Sequence, residues 1–298
     1  LAIGGYGLFG VILEVDLRLR ERRALRRRVV AIDADELVDA FDDRRDQGFT
    51  HGDFQFEIDP HSPGFLHHGV FSCYEPIDEP PPPAGMQKVL GRDDWLRLIH
   101  LAHTDKSTAF DEYQAHYLRT DGQRYWSDTH QIAEYVEGYH PEIDRLLGTC
   151  GGEMITELFV PPARVPALLA DAREVLRAHE ANVIYGTVRR IQPENDTFLR
   201  WAREPLCGVV LNLHVDHTAD AIERSGTVFR DLIDAALAQR GTFYLTYHRF
   251  AEGRQLRAAY PQLPRFLRSK GMHDPARVFD SDWLRAIEDR LTPDRGGR

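Results

Sequence analysis

Two polar residues interrupt an apolar stretch that is typical of a buried strand. The stretch covers residues 209–215, VVLNLHV, and places Asn212 and His214 two positions apart. Alternate residues of a strand point to the same face of the sheet, so the amide and the imidazole share one face. Buried polar groups need partners, which either a ligand pocket or solvent on an uncovered face supplies. We expect a pocket, in which both side chains are candidate catalytic groups.

A second predicted strand, over residues 182–191, carries polar side chains in the same alternating pattern. Tyr185, Thr187 and Arg189 share one of its faces. We interpret the three as candidate substrate-binding residues that line a pocket.

A third predicted strand, over residues 242–247, leads into another polar group. Tyr247 and Arg249 share a face, while His248 points the opposite way in an ideal strand. A tyrosine donates a hydrogen bond or, with a lowered pKa, accepts a proton. An arginine binds a carboxylate or a phosphate, although a surface arginine at a strand end fits the pattern equally well. Both residues are candidate catalytic groups.

The histidines do not predict a metal site. His214 and His217 form an HxxH pair, but the pair lies where a strand runs into a turn and lacks a matching carboxylate motif. Four more histidines lie close together with spacings that fit no named metal motif, namely His51, His61, His67 and His68.

The elements that must position these groups indicate an α+β fold, in which an antiparallel sheet is covered by helices. A glycine-rich turn over residues 4–10 precedes an alternating segment, residues 13–19, which predicts a strand. Further strands are predicted over residues 28–32, 54–58, 69–74 and 154–160. Helices are predicted over residues 34–47, with Asp33 as the cap, and over 93–117, 127–147, 165–179, 218–239, 256–270 and 283–290.

Composition excludes several classes of protein. The 298 residues hold 47 acidic and 37 basic side chains, a net charge of −10, which argues against nucleic-acid binding. No apolar run approaches the roughly 20 residues of a membrane span. Three separated cysteines without a CxxC pair predict neither a disulfide framework nor a zinc site, so we expect a cytoplasmic protein.

Both ends of the chain resemble the vanillyl-alcohol oxidase and p-cresol methylhydroxylase superfamily of FAD-linked oxidases. Residues 4–12, GGYGLFGVI, are similar to the segment that closes the flavin domain of that family. Residues 260–263, YPQL, with the later pairs DP at 274, VF at 278 and SD at 281, are similar to its return segment. Residues 153–161 and 244–249 also resemble this family, especially its alditol oxidase and decaprenylphosphoryl-ribose oxidase members.

The resemblance implies three parts of the chain. Residues 1–20 end an FAD-binding domain, residues 21–250 form a substrate (cap) domain, and residues 251–298 return to the FAD-binding domain. The family carries its phosphate-cradling half earlier in the sequence, so we expect further flavin-domain sequence before Leu1.

The resemblance also implies site residues. Tyr247 falls where the sugar oxidases of the family have a lysine beside the flavin. Glu157 falls at a polar position that faces the substrate, although a cross-strand pair with Arg189 is an alternative. Ser281 and Asp282 are implied FAD contacts, or they cap the last helix. The remaining implied FAD contacts, mostly through backbone atoms, are Gly5, Gly7, Gly10, Val11 and Ile12.

The function implied is FAD-dependent oxidation of a CH–OH group of a small hydroxylated substrate, such as a sugar alcohol or a sugar-lipid. The hydride would pass to the flavin N5 atom while protein groups handle the hydroxyl proton. Two alternatives stay open. One is an FAD-dependent carbon–carbon double-bond reductase like the sterol side-chain reductases, and the other is a non-catalytic cap fragment that cannot bind FAD alone.

Overall fold

A single eight-stranded antiparallel sheet organises the computed structural model, which describes residues 1–83, 85–128 and 138–292. Along the sheet the strands follow the order β4-β1-β3-β2-β6-β7-β5-β8. Their bounds are β1 Ala24–Asp33, β2 His51–Phe56, β3 His68–Ile77, β4 Arg124–Trp126, β5 Gly151–Val160, β6 Val183–Ile191, β7 Leu206–Asp216 and β8 Thr242–Phe243. The predicted α+β class with an antiparallel sheet is confirmed.

The sheet is built from two units of the same topology. In the first unit β1, a helix, β2 and β3 assemble in the order β1-β3-β2. In the second unit β5, a helix, β6 and β7 assemble in the order β5-β7-β6. The units join through β2 and β6, where Gln55 pairs with Thr187. The repeat is one of topology, since the two units show no convincing similarity in sequence.

Helices cover both faces of the sheet. Their bounds are α1 Leu37–Asp46, α2 Arg92–Thr104, α3 Lys106–Leu118, α4 Tyr139–Leu147, α5 Val165–Ala178, α6 Ala219–Ala238, α7 Gly253–Ala259, α8 Leu263–His273 and α9 Asp282–Leu291. Within the described ranges, no helix combines the length and the apolar character needed to cross a bilayer.

The main core lies between the sheet and helices α1, α5 and α6. Phe54, Phe71, Leu168, Leu211 and Phe229 are fully buried there in one continuous cluster. Such side chains come from alternate strand positions and from one stripe of each helix, which is the pattern that the sequence predicts. The opposite face of the sheet is covered by α2 and α3 over the first unit and is left more open over the second unit.

The alternating segment near the start is not a strand. Residues 11–23 have no regular secondary structure, and Leu13 and Leu19 are 93% and 85% exposed. A strand requires a neighbour that pairs with its backbone, and no described strand pairs with this segment. The prediction of a strand over residues 13–19 is therefore wrong for the structure of this chain.

Three helix predictions need correction. Asp105 divides the predicted helix over residues 93–117, because its carboxylate accepts a hydrogen bond from the Thr108 amide and begins α3. The helix predicted over residues 256–270 divides at Tyr260, ahead of Pro261. Asp33 belongs to β1 and does not cap α1, whose first flanking residue is Glu36. Of the helix predicted over residues 127–147, the part 129–137 lies outside the described residues.

Candidate active site

Glu157 lies on the less covered face of the sheet, in the middle of the second unit. It pairs with Val210 of β7, and Val210 pairs in turn with Thr187 of β6. Antiparallel partners point to the same face, so Glu157 and Thr187 share this face. Arg189 lies on it too, two positions from Thr187 on the same strand, as the alternation predicts. The site is therefore built on regular strands, which hold side chains in fixed positions.

The Glu157 carboxyl is a candidate proton acceptor on this face. It is half-buried, and burial raises its pKa, an effect that the nearby positive charge of Arg189 partly offsets. No hydrogen bond or ion pair from another described residue reaches the carboxylate, so the alternative of a direct Arg189 pair is not seen. A carboxylate with a raised pKa and no hydrogen-bond partner is a stronger base than an ordinary carboxylate and is suited to accept a proton.

Tyr247 lies beside Glu157, but on a loop. The strand β8 ends at Phe243 and a turn follows at Leu245, so the prediction of a strand as far as Tyr247 is wrong. Tyr247 is 43% exposed, and its ring centroid lies 4.9 Å from that of Tyr244. Burial, then the negative charge of Glu157, raises the pKa of Tyr247. The phenol therefore stays protonated at neutral pH and acts as a hydrogen-bond donor.

The side chains predicted near the start of the last helix already have partners. These are Arg249, Asp282 and Ser281, which interact with one another or with residues of that helix. The Arg249 guanidinium lies 3.8 Å from the Asp282 carboxylate, and both side chains are exposed. The Ser281 hydroxyl accepts a hydrogen bond of 3.2 Å from the Leu284 amide and so caps α9. Of the two interpretations that the sequence left open for Ser281, the structure shows the helix cap. His248 is buried and packs against Phe229.

The other predicted residues of this face differ in how far they are available. Thr187 is buried, and its hydroxyl donates to the Phe54 carbonyl at 3.1 Å. Tyr185 is 36% exposed, and burial raises its pKa. The Asn212 carbonyl oxygen is buried without a hydrogen-bond partner among the described residues. Tyr185 and Asn212, which pair across β6 and β7, can therefore both contact a ligand.

His214 does not join this group. It pairs with Glu153 in the sheet, four positions along β5 from Glu157, which is about 13 Å at 3.3 Å per residue. Its ring lies beside that of His103 from α2, with the centroids 4.6 Å apart. The structure thus divides the predicted catalytic residues between two places on one face.

The two ends of the chain meet beside Tyr244 and Tyr247. The rings of Tyr6 and Trp283 lie 4.7 Å apart, and the Trp283 indole donates a hydrogen bond of 2.9 Å to the Leu245 carbonyl. Burial and, to a smaller extent, the electrostatic effect of Tyr244 raise the pKa of Tyr6 to about 12. Farther along, the buried Lys270 ammonium donates to the Leu8 carbonyl at 2.8 Å. The glycine-rich segment is therefore anchored next to the candidate site.

The predicted FAD contacts in this segment differ in accessibility. Gly5 is buried, whereas Gly7 and Gly10 are exposed. Gly7 has a φ of +72°, and a Cβ atom added there would meet nothing within 4 Å, so its backbone faces open space. Val11 and Ile12 are 72% and 60% exposed.

Sequence reasoning missed an aromatic wall and a carboxylate at this site. Trp201 stacks on Phe159 with the centroids 4.5 Å apart, and Tyr244 packs in the same cluster. Asp53 of β2 accepts a hydrogen bond of 3.3 Å from Thr187, and burial raises its pKa. The alternation of β2 was a usable signal for Asp53, whereas no local pattern marks Trp201, which lies in a loop.

Comparison with known proteins supports the fold and no more. No family model and no curated protein matches the sequence. Among solved structures, the chain is similar to a protein named solvent-stable cholesterol oxidase, with a TM-score of 0.54 and 12% identity. The match covers 89% of this chain but 60% of the oxidase, so the chain spans less than two thirds of that protein. The likeness shows that the two share an α+β arrangement.

Proposed function

We propose that this chain provides the substrate-binding sheet and an edge of the flavin site of an FAD-dependent oxidoreductase that oxidises a CH–OH group. The observation that carries the proposal is the meeting of three segments. The glycine-rich start, the loop with Tyr247 and the first turn of α9 pack together beside Glu157. These segments are the ones whose sequences resemble the vanillyl-alcohol oxidase superfamily, and in the fold they lie next to the Glu157 carboxyl.

The residues present fit part of an FAD site. The backbone at Gly7 and Gly10 is exposed and unobstructed, which is what close approach of a cofactor to the main chain requires. The side chains of Ser281 and Asp282 already have partners, so the fit depends on the glycine backbone. A bound FAD supplies the two-electron acceptor that amino-acid side chains lack.

The chain's own residues would handle the substrate and its proton. Glu157 accepts the hydroxyl proton, since its raised pKa makes it a stronger base than an ordinary carboxylate. Tyr247, which stays protonated, donates a hydrogen bond to the same oxygen and fixes its position. The aromatic rings of Tyr244 and Trp201 offer an apolar surface for the carbon skeleton.

The fold comparison supports the reaction class. One solved structure with a similar fold is named as an oxidase of cholesterol, which is an alcohol. The substrate we propose for this chain is a class only, a small hydroxylated molecule such as a sugar alcohol or a sugar-lipid. The open, polar and aromatic face is consistent with that class.

The test is an FAD titration of the purified chain, followed by desalting and measurement of flavin absorbance. We expect saturable binding, and at least a tenfold loss of affinity in Gly7→Val because the side chain enters the space next to the exposed backbone. Gly122→Val is the matched control, since Gly122 also has a left-handed φ of +75° with nothing within 4 Å but lies far along the chain, before β4. Any backbone strain is therefore common to both variants.

Two results would overturn the proposal. The first is a folded wild-type chain that binds no FAD, which is the behaviour of a non-catalytic cap module. The second is equal loss of affinity in both glycine variants. If FAD binds, loss of flavin absorbance under anaerobic conditions identifies which polyols, sugars or sterols are oxidised.

One observation favours a second reaction, the reduction of a carbon–carbon double bond. The raised pKa of Tyr247 keeps a proton on its hydroxyl, and such a reduction needs a proton donor for one carbon of the bond. A requirement for a nicotinamide as electron source distinguishes this reaction from alcohol oxidation. Tyr247→Phe would then abolish the reduction, whereas it would lower alcohol oxidation by roughly tenfold, the value of one positioning hydrogen bond.

A further inference from the structure

A second cluster of reactive side chains lies on the same face of the sheet, at the start of β5. His103 from the last turn of α2, Glu153 from β5 and His214 from β7 each present one ligand atom, and these atoms lie within 4.8 Å of one another. The Glu153 Oε1 atom lies 3.8 Å from His103 Nε2 and 3.6 Å from His214 Nδ1. We name these three residues the His–Glu–His cluster.

The cluster leaves buried polar atoms without partners. The three side chains are only 2%, 7% and 8% exposed. His103 Nε2 and His214 Nδ1 have no hydrogen-bond partner among the described residues, and both lie too far from Oε1 to bond it. Buried polar atoms are nearly always satisfied in native proteins, so two imidazole nitrogens aimed at one carboxylate oxygen require an explanation.

The spacing of the atoms suits a bound cation. Zinc lies about 2.0–2.2 Å from nitrogen and oxygen ligands in tetrahedral geometry, which separates the ligand atoms by about 3.4 Å. The two measured separations, 3.6 and 3.8 Å, need only a small contraction to reach that value. Two imidazoles and one carboxylate are also a donor set that first-row transition metals prefer.

The surroundings of the cluster hold the ligands in place. The second oxygen of Glu153 accepts a hydrogen bond of 2.7 Å from the Tyr139 hydroxyl and lies 3.0 Å from His140 Nδ1. The other ring nitrogen of His214 lies 3.6 Å from the Asp216 carboxylate. Metal-binding carboxylates and histidines are oriented by such outer contacts.

A cavity gives the cluster an open side. Its volume is about 400 Å³, and both His103 and His214 line it. An ion held by three protein ligands would therefore keep a position for water or for a small ligand, as catalytic zinc sites do and structural sites do not.

We propose that His103, Glu153 and His214 form a binding site for one divalent transition-metal ion of the Zn²⁺ type, with an open coordination position that faces the cavity. The site does not depend on flavin, because it lies about 13 Å along β5 from Glu157. Its success or failure is therefore distinguishable from that of the function proposed above.

The test uses the full untagged chain, stripped with EDTA and titrated with Zn²⁺ by calorimetry and with Co²⁺ by visible absorbance. We expect one ion per chain, a Co²⁺ spectrum of low-symmetry coordination, and no binding of Mg²⁺, which prefers oxygen ligands. His103→Gln and His214→Gln should each weaken Zn²⁺ binding at least tenfold. His179→Gln is the matched control, because His179 lines the same cavity but lies 2.8 Å from Asp231 instead.

A second variant keeps all three ligands, so that a loss of metal binding is not confused with misfolding of a ligand variant. A Cβ atom at Gly151 would lie 2.4 Å from the His214 ring, so Gly151→Ala keeps all three ligands but displaces one of them. We expect weaker Zn²⁺ binding in Gly151→Ala and a smaller rise of its melting temperature on adding Zn²⁺, since only native-state binding stabilises the fold. Undiminished binding of one ion in both histidine variants, or no binding by the wild type, would overturn the proposal.

Discussion

The two units of the sheet share one topology, but they differ in how the face opposite the main core is covered and in how its polar groups are paired. In the first unit, α3 covers the face, and the large charged group beneath it is paired, although the buried Ser72 hydroxyl has no hydrogen-bond partner among the described residues. This charged group, Arg27, is buried and donates to the Tyr74 hydroxyl at 2.8 Å and to the Thr120 hydroxyl at 3.0 Å. In the second unit, neither the Glu157 carboxylate nor the buried Asn212 amide oxygen has a hydrogen-bond partner among the described residues.

The two units differ in whether the polar side chains of this face are paired within the protein. Polar groups that are sealed under a helix and fully paired stabilise a unique packing, whereas unpaired polar groups on an accessible face are available to a ligand. Phe110, Tyr113 and Tyr117 of α3 seal the first unit. Glu157 of the second unit has no hydrogen-bond partner among the described residues, so we interpret the first unit as the scaffold and the second as the carrier of the candidate site.

The largest expected effect is on turnover and follows from Glu157→Gln. The amide cannot accept the hydroxyl proton, so turnover of the FAD-loaded protein should fall about 10²- to 10⁴-fold, the usual contribution of general base catalysis. The measurement is the rate of anaerobic flavin reduction by a substrate that the wild type oxidises. Glu174→Gln is the control, because Glu174 lies on the exposed side of α5 with 80% of its side chain accessible. Equal rates in both variants would remove Glu157 from the mechanism.

The next effect is on stability and compares two arginines of the same face. Arg27→Met should cost about 3 kcal/mol of unfolding free energy, because it leaves the Tyr74 and Thr120 hydroxyls short of a donor and removes three cation–π contacts. Arg189→Met should change it by less than about 0.5 kcal/mol, as is usual for exposed residues. Urea unfolding measures both values. Similar costs would mean that the two units are not divided between scaffold and site.

The smallest effect is a pH dependence of stability at Glu157. Its native pKa is raised by burial, so the native state favours the protonated carboxyl, and this stabilisation is lost as pH rises from about 4.3, the unfolded value, through the native pKa. Glu157→Gln should therefore melt at a higher temperature than the wild type at about pH 8 and at the same temperature at about pH 4. Melting curves without flavin at both pH values provide the measurement. A difference of the opposite sign would show that Glu157 is paired in the native state.

Local patterns predicted most of the sheet and one face of the site. Alternation placed Tyr185, Thr187 and Arg189 together on β6, and Asn212 and His214 together on β7, because side chains of a strand alternate whatever the fold. The same pattern failed at residues 13–19, where no described strand pairs with the alternating segment. Amphipathic alternation is only a necessary condition for a strand, since pairing is supplied by distant sequence.

The amino-acid sequence by itself determined the α+β class, the faces of the main strands and the acidic charge. Only the tertiary structure decided which polar residues meet. It separated His214 from Tyr247 and brought it to His103 and Glu153, which come from a helix and a strand far apart in the chain. It also brought Tyr6 to Trp283, from opposite ends of the chain. Such contacts are fixed by strand order and helix packing, which combine residues without any local pattern that records their partners.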